Sequence, residues 1–192
     1  MKLGNLNEPA QQVSFLQAVR LGLGERQGLF FPDYWPALDI PALLDMAFVP
    51  RSTALFKAFI GDEVDDAALA DMLQSAFAFP APLVPVTANT ACLELFHGPT
   101  LAFKDFGARL MARALALAQA KQRITRTTIV TATSGDTGAA VAQAFFGQPN
   151  VEVMILFPEG KISPLQEKLF TTLGGNIKTL AVQGGFAACQ AL

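Results

Sequence analysis

From Ala91 onward the sequence alternates, over short connections, between β-branched or apolar runs and stretches of helical periodicity. No other feature limits the fold as much. Ala91 to Phe96 reads as a strand, Asp105 to about Gln122 as a helix, Thr127 to Thr133 as a strand and Asp136 to Phe146 as a helix. Val151 to Phe157 and Ile177 to Val182 follow as strands. Between them Ser163 to Leu173 reads as a helix, with Ser163 at the N-cap and Pro164 in the first helical position. Such alternation predicts an α/β fold, a mostly parallel sheet with helices on both faces. Ligands of such sheets lie at the carboxyl ends of the strands, which is where the runs TSGDTG and PEGKIS fall.

The region ahead of this pattern is different. Residues 1–79 are expected to form a separate, small, mainly helical domain, and residues 80–192 the α/β one. Val13, Leu16, Val19 and Leu21 suggest a first amphipathic helix closed by Gly22 and Gly24. The stretch GLFFP (Gly28 to Pro32) reads as a short strand or buried loop. Ser52 is expected to cap a helix through Leu55, Phe56 and Phe59 to Gly61. Another helix is expected from about Asp65 to Phe77, with Leu69, Met72, Leu73 and Ala76 on one face. The run PAPLVP (Pro80 to Pro85) is read as the hinge between the two parts.

Composition narrows the function classes. Hydrophobic residues are 52% of the 192 and charged ones only 16%, enough apolar material for a sizeable core. A net charge of -2 and the lack of a basic cluster interleaved with aromatics point away from nucleic acid. No run reaches the ~20 apolar residues of a membrane helix, and the amino terminus has no apolar signal core. Cys92 and Cys189 read as small buried residues of a reducing cytoplasm rather than a disulfide framework. One histidine, His97, and no clustered cysteines give a metal site no support. The carboxyl end, GGFAACQAL, stops inside a helical pattern, so the chain is expected to be the front part of a longer protein.

The chemistry is expected around FHGPTLAFKDFG (Phe96 to Gly107), where a turn-prone segment passes into a helix. Lys104 sits at or beside that helix start. The helix dipole and the aromatic neighbours both disfavour an ammonium there, and a neutral amine is a nucleophile toward aldehydes. Asp105 opposes this if its carboxylate is near, or else it caps the first turn. In TSGDTG (Thr133 to Gly138) the glycines permit a tight turn, Ser134 and Thr137 offer hydroxyls, and the N–H groups of the helix start suit an anion. A plain N-cap formed by Ser134 or Asp136 is the alternative. Lys161 and Ser163 of PEGKIS sit in a similar place, and a surface lysine and a helix cap is an equally good reading of them.

Taken together, GLFFP, the FKD segment, TSGDTG and PEGKISPLQ, in that order, resemble the motifs of the threonine synthases. These are pyridoxal-phosphate enzymes of the tryptophan-synthase-β fold type. The resemblance implies that Lys104 carries pyridoxal 5'-phosphate as catalytic residue. It places Phe103 beside the pyridine ring and Asp136 near the ring hydroxyl. Ser134, Gly135 and Thr137 would hold the substrate's α-carboxylate, and Lys161 and Ser163 the phosphate of O-phospho-L-homoserine. Other enzymes of this fold type usually have asparagine at the Asp136 position, which leaves the hydrogen-bond direction to the ring oxygen open. A serine/threonine dehydratase, a cysteine synthase and a catalytically silent relative are the rival readings; GLFFP and the helical front region disfavour the first two.

Overall fold

The computed structural model describes residues 2–192. The chain divides into two compact units, Met1–Ala78 with Arg113–Arg123, and Phe79–Ala112 with Ile124–Leu192.

In the first unit, β1 (Leu3–Asn5) is the middle strand of a three-stranded antiparallel sheet, between β2 (Gln12–Val13) and β3 (Phe30–Pro32). The GLFFP stretch thus supplies a strand, but not a buried one, because Leu29 and Phe31 are exposed. Helix α1 (Phe15–Leu21) starts at Ser14 with a capping box to Gln17 and ends at Gly22, whose φ of 71° suits glycine. Glu63 completes that start from a distance: its carboxylate accepts from Ser14 Oγ (2.5 Å), Phe15 N (2.8 Å) and Leu16 N (3.0 Å). A carboxylate at a helix N-terminus satisfies orphan amides and complements the dipole. The short α2 (Ile40–Leu44) is capped by Asp39.

Helix α3 (Phe48–Ile60) corrects the expectation at Ser52. The helix begins five residues earlier, with Ala47 at the N-cap and Pro50 in its first turn, where a missing N–H costs nothing. Ser52 is inside the helix, buried, and its hydroxyl donates to the Phe48 carbonyl at 2.8 Å. Helix α4 (Asp66–Ala76) is capped by Asp65 and buries the expected face, Leu69, Met72, Leu73 and Ala76. These side chains, with Leu16, Ile60 and Val64, form the core of the unit.

The second unit opens on a hairpin where a hinge was expected. β4 (Leu83–Thr87) pairs antiparallel with β5 (Thr90–Leu93), and the ladder shifts register between Pro85 and Thr87. Proline is tolerated because each strand of a two-stranded ribbon keeps one unpaired edge. Cys92 is exposed on β5, whereas Cys189 is buried. The strand predicted to reach Phe96 ends at Leu93, and a loop carries the chain to α5 (Lys104–Gln122).

Strands β6 (Thr127–Ala132), β7 (Val151–Pro158) and β8 (Ile177–Val182) form a parallel sheet in that order. Helices α6 (Asp136–Phe145) and α7 (Pro164–Thr171) are the crossovers between them. Two successive right-handed crossovers in one direction put both helices on one face. They cover Val153, Ile155 and Phe157 with Ala139, Ala142, Phe145 and Phe170; the Phe157 and Phe170 rings meet edge to face at 5.3 Å. Helix α8 (Phe186–Ala191) turns back over β7 and β6 and so lies on the opposite face. The α/β layering is therefore present, with TSGDTG after β6 and PEGKIS after β7, at the carboxyl ends of the sheet.

Candidate active site

The loop before α5 is fixed from within. Asp105, almost fully buried, turns its carboxylate back on the loop: Thr100 N donates to Oδ2 and the Thr100 hydroxyl to Oδ1, each at 2.8 Å. Leu101 N donates to the Gly98 carbonyl at 3.1 Å, and Leu101 itself has φ of 60°, a conformation that branched and bulky side chains rarely adopt. Gly98 has to be glycine, since a Cβ there would meet the Asp105 carboxylate, with Cγ at 2.9 Å. Of the two roles open to Asp105, it takes the structural one. Its oxygens are committed to Thr100, and in consequence the Cα of Lys104 has one place.

The amine of Lys104 meets a different carboxylate. Nζ stands 3.7 Å from Asp136 Oδ2, at the start of α6, and 4.5 Å from the centre of the Phe103 ring. The Lys104 side chain is 32% exposed and that of Asp136 47%, so the pair is neither sealed nor free. Phe103, 59% exposed, is not a core residue. Beside the pair lies a cleft of about 500 Å³, walled by the 99–103 loop, by Asp136 and Ala139 of α6, and by Leu165, Gln166 and Leu169 of α7. Lys104 and Asp136, expected from separate motifs, thus come together; Asp136 lines the cleft, and Lys104 follows its Phe103 wall without lining it.

The TSGDTG turn is not capped by either of the residues expected to cap it. Its N-cap is Gly135 (φ 139°), not Ser134 or Asp136. The capping oxygen belongs to buried Thr133, whose Oγ1 accepts from Gly135 N at 3.0 Å and Gly138 N at 2.8 Å. Gly135 therefore cannot offer its own N–H to a ligand. Asp136 and Thr137, the first residues of α6, carry amides with no carbonyl within the helix to bond to, and Ser134 and Asp136 are exposed.

Ser163 caps α7, accepting from Gln166 N at 3.3 Å, and its hydroxyl donates to Gln166 Oε1 at 3.2 Å. Gln166 Nε2 in turn donates to Asp136 Oδ1. Through Gln166, Ser163 joins the Lys104–Asp136 pair. Lys161 is exposed on the turn after β7, where its N–H donates to the Pro158 carbonyl and Gly160 takes φ of 65°. It does not line the cleft. His97 pairs with Glu94 at 2.8 Å and packs on Phe96.

Thr133 and Gln166 were missed as site residues in the sequence. The signal for Thr133 was a hydroxyl at a strand end just ahead of a Gly-x-x-Gly turn. Gln166 gave none beyond its position three residues after an N-cap serine.

A parallel sheet whose strand ends gather a lysine amine, a carboxylate and a glycine-bearing helix start defines an α/β protein with an amine-centred site. Comparison with known proteins carries this further. Residues 7–77 match the family model described as the threonine synthase N terminus. Threonine synthase of Serratia marcescens is 60% identical and that of Escherichia coli (strain K12) 58%, each over 100% of this chain. Among solved structures, threonine synthase from Escherichia coli superposes with a TM-score of 0.92 at 57% identity. The PLP-bound threonine synthase from Brucella melitensis gives 0.89 at 38% identity. Both cover 100% of this chain. Over its whole length the chain is similar to members of the threonine synthase family, and it spans 45% of the length of the Serratia and Escherichia relatives.

Proposed function

We propose that this protein is a pyridoxal-phosphate-dependent threonine synthase, which converts O-phospho-L-homoserine and water to L-threonine and phosphate. The observation that carries the reading is the Lys104 amine, held 3.7 Å from the Asp136 carboxylate at the edge of a cleft of about 500 Å³. The residues present suit the cofactor. A primary amine is available to an aldehyde, an aromatic face is exposed next to it, and Gly135 keeps the turn clear where a Cβ would strike Gln166 at 2.7 Å. When bound, pyridoxal phosphate supplies that aldehyde and a ring that can store an electron pair from the substrate.

The remaining roles fall to the chain. Lys104 takes and returns protons at Cα and Cβ of the substrate. Phe103 flanks the ring, and Asp136 orients its hydroxyl side. The Ser134 and Thr137 hydroxyls, with the open amides at the start of α6, hold the α-carboxylate, as a helix N-terminus suits an anion. Gly135 contributes space instead of a donor. Lys161 and Ser163 take the substrate's phosphate, the first as a cation and the second at the start of α7. Residues 1–79 are assigned to an amino-terminal domain and 80–192 to the catalytic one. A cytoplasmic setting accords with two free cysteines and with the absence, among the described residues, of a helix long and apolar enough to cross a membrane.

Two measurements on the full-length protein test the reading, since these 192 residues alone are expected to be inactive. Phosphate release from phosphohomoserine is expected, without keto acid from serine; the reverse would favour a dehydratase. Borohydride reduction with pyridoxal phosphate is expected to mark the peptide holding Lys104 and to leave a Lys104→Ala variant unmarked, so an equal mark in the variant would refute the assignment.

A further inference from the structure

Gln166 has no part in the chemistry proposed above, yet its side chain links the start of α7 to the Lys104–Asp136 pair. We infer that Gln166 is a positioning residue that fixes the Asp136 carboxylate, holding Oδ1 so that Oδ2 faces the Lys104 amine.

Three observations bear on this. The first is polarity. Ser163 donates to Gln166 Oε1 at 3.2 Å, so the other end of the amide, Nε2, is the end presented to Asp136 Oδ1. An amide turned the other way would set a carbonyl oxygen against a carboxylate. The second is division of labour at Asp136. One oxygen accepts from Gln166 and the other stands 3.7 Å from Lys104 Nζ, so rotation of the carboxylate would break both contacts. The third is steric and independent of the hydrogen bonds. The Gln166 amide crosses directly over Gly135, where a Cβ would lie 2.7 Å from Oε1, 2.8 Å from Cδ and 3.0 Å from Nε2. The turn thus omits a side chain at the point where Gln166 passes toward Asp136.

An amide suits this task. It donates to a carboxylate without adding charge, so Asp136 keeps its full charge for the amine. A glutamate at 166 would oppose a second carboxylate to the first until one of them held a proton. A methionine would fill similar space and donate nothing.

That Lys104 also carries the cofactor rests on the proposed function, so the test uses a readout that does not need it. In the full-length protein without cofactor, competitive acetylation followed by peptide mass analysis gives the labelling rate of Lys104 relative to exposed Lys178. Gln166→Met is expected to change this ratio at least about threefold, the low end of the coupling between neighbours in one hydrogen-bond network. In an Asp136→Asn background the same substitution is expected to change nothing further, because its effect passes through the carboxylate. Gln166→Glu is expected to depart from the parent in mild alkali, where it sets a second carboxylate against Asp136, and to return toward the parent as the pH falls and the protonated acid donates again. Ratios within about 1.3-fold of the parent in both variants at mildly alkaline pH, or equal effects with and without Asp136, would overturn the inference. If Gln166→Met does not fold, the pH course of Gln166→Glu decides alone, a parent-like ratio at every pH counting against the inference. Absence of a borohydride-stable mark on Lys104 in the parent would count against the cofactor reading and leave the labelling result standing.

Discussion

Replacing Thr133 by valine tests how the glycine turn is held. Valine keeps the shape of threonine and the methyl that packs under Gly138, where a Cβ would meet Thr133 Cγ2 at 2.6 Å. What it removes is the one oxygen that accepts from both Gly135 N and Gly138 N. Thr133 is 1% exposed and both glycines are buried, so water does not replace the lost acceptor. A buried donor left unpaired costs about 1–3 kcal/mol. Two donors sharing one acceptor then give about 2–4 kcal/mol, less than twice the single value because the turn relaxes as a unit. Thr133→Ser keeps the acceptor and loses a buried methyl, for about 1 kcal/mol. Urea unfolding of the three proteins gives the energies, and hydrogen exchange of the peptide over 133–139 locates them. A valine variant within about 0.5 kcal/mol of the parent, with unchanged exchange at the turn, would refute the claim that Thr133 organises it.

Other consequences can be measured directly. Gly98→Ala sets a Cβ against the Asp105 carboxylate and is expected to cost about 1–3 kcal/mol and to weaken cofactor capture at Lys104; a silent substitution would mean the 98–105 loop is not held as described. In the first unit, Lys57 is raised above its ordinary value by hydrogen bonds to Asp66 first and Asp62 second, and Asp62 is lowered by its hydrogen bond to Lys57. For Asp62, depressed in the folded state, the stabilisation is present above the ordinary carboxylate range and lost as pH falls through the folded value. For Lys57, raised on folding, it is present below the ordinary lysine value and lost as pH rises through the folded one. Asp62→Asn should therefore flatten the acid side of a stability–pH curve. Asp62 is fully exposed and Lys57 partly so, and the effect is therefore small and added salt should diminish it; a difference that survives molar salt would contradict this.

What could be read in the sequence was whatever depended on near neighbours. Strand–helix alternation, Ser163 before Pro164, and the Leu69–Met72–Leu73–Ala76 face are local patterns, and they stand within a residue or two of their expected places except for the first strand, which ends at Leu93 and belongs to a hairpin. Ser52 misled because a serine near a helix start looks the same whether it caps the helix or donates to the carbonyl four residues back. Pro50, two residues before Ser52, belongs to the first turn of the same helix. β1 is three residues long, too short for an alternation to show, and exists because β2 and β3 flank it. At the site, the motifs supplied Lys104 and Asp136, but the pairing of one with the other is a long-range contact. The commitment of Asp105 to Thr100 could not be told from a cap, since both use the same residue at the same position.

That long-range contact says something about timing. Lys104 and Asp136 lie on opposite sides of a helix and a strand, and Gln166 reaches Asp136 from a second crossover, 30 residues further along. Contacts of this kind form late, after the loop entropy between them has been overcome. Until the sheet is assembled, the lysine is one amine among several, with no carboxylate partner of its own. Completion of the sheet and the pairing of this amine with Asp136 are then a single event.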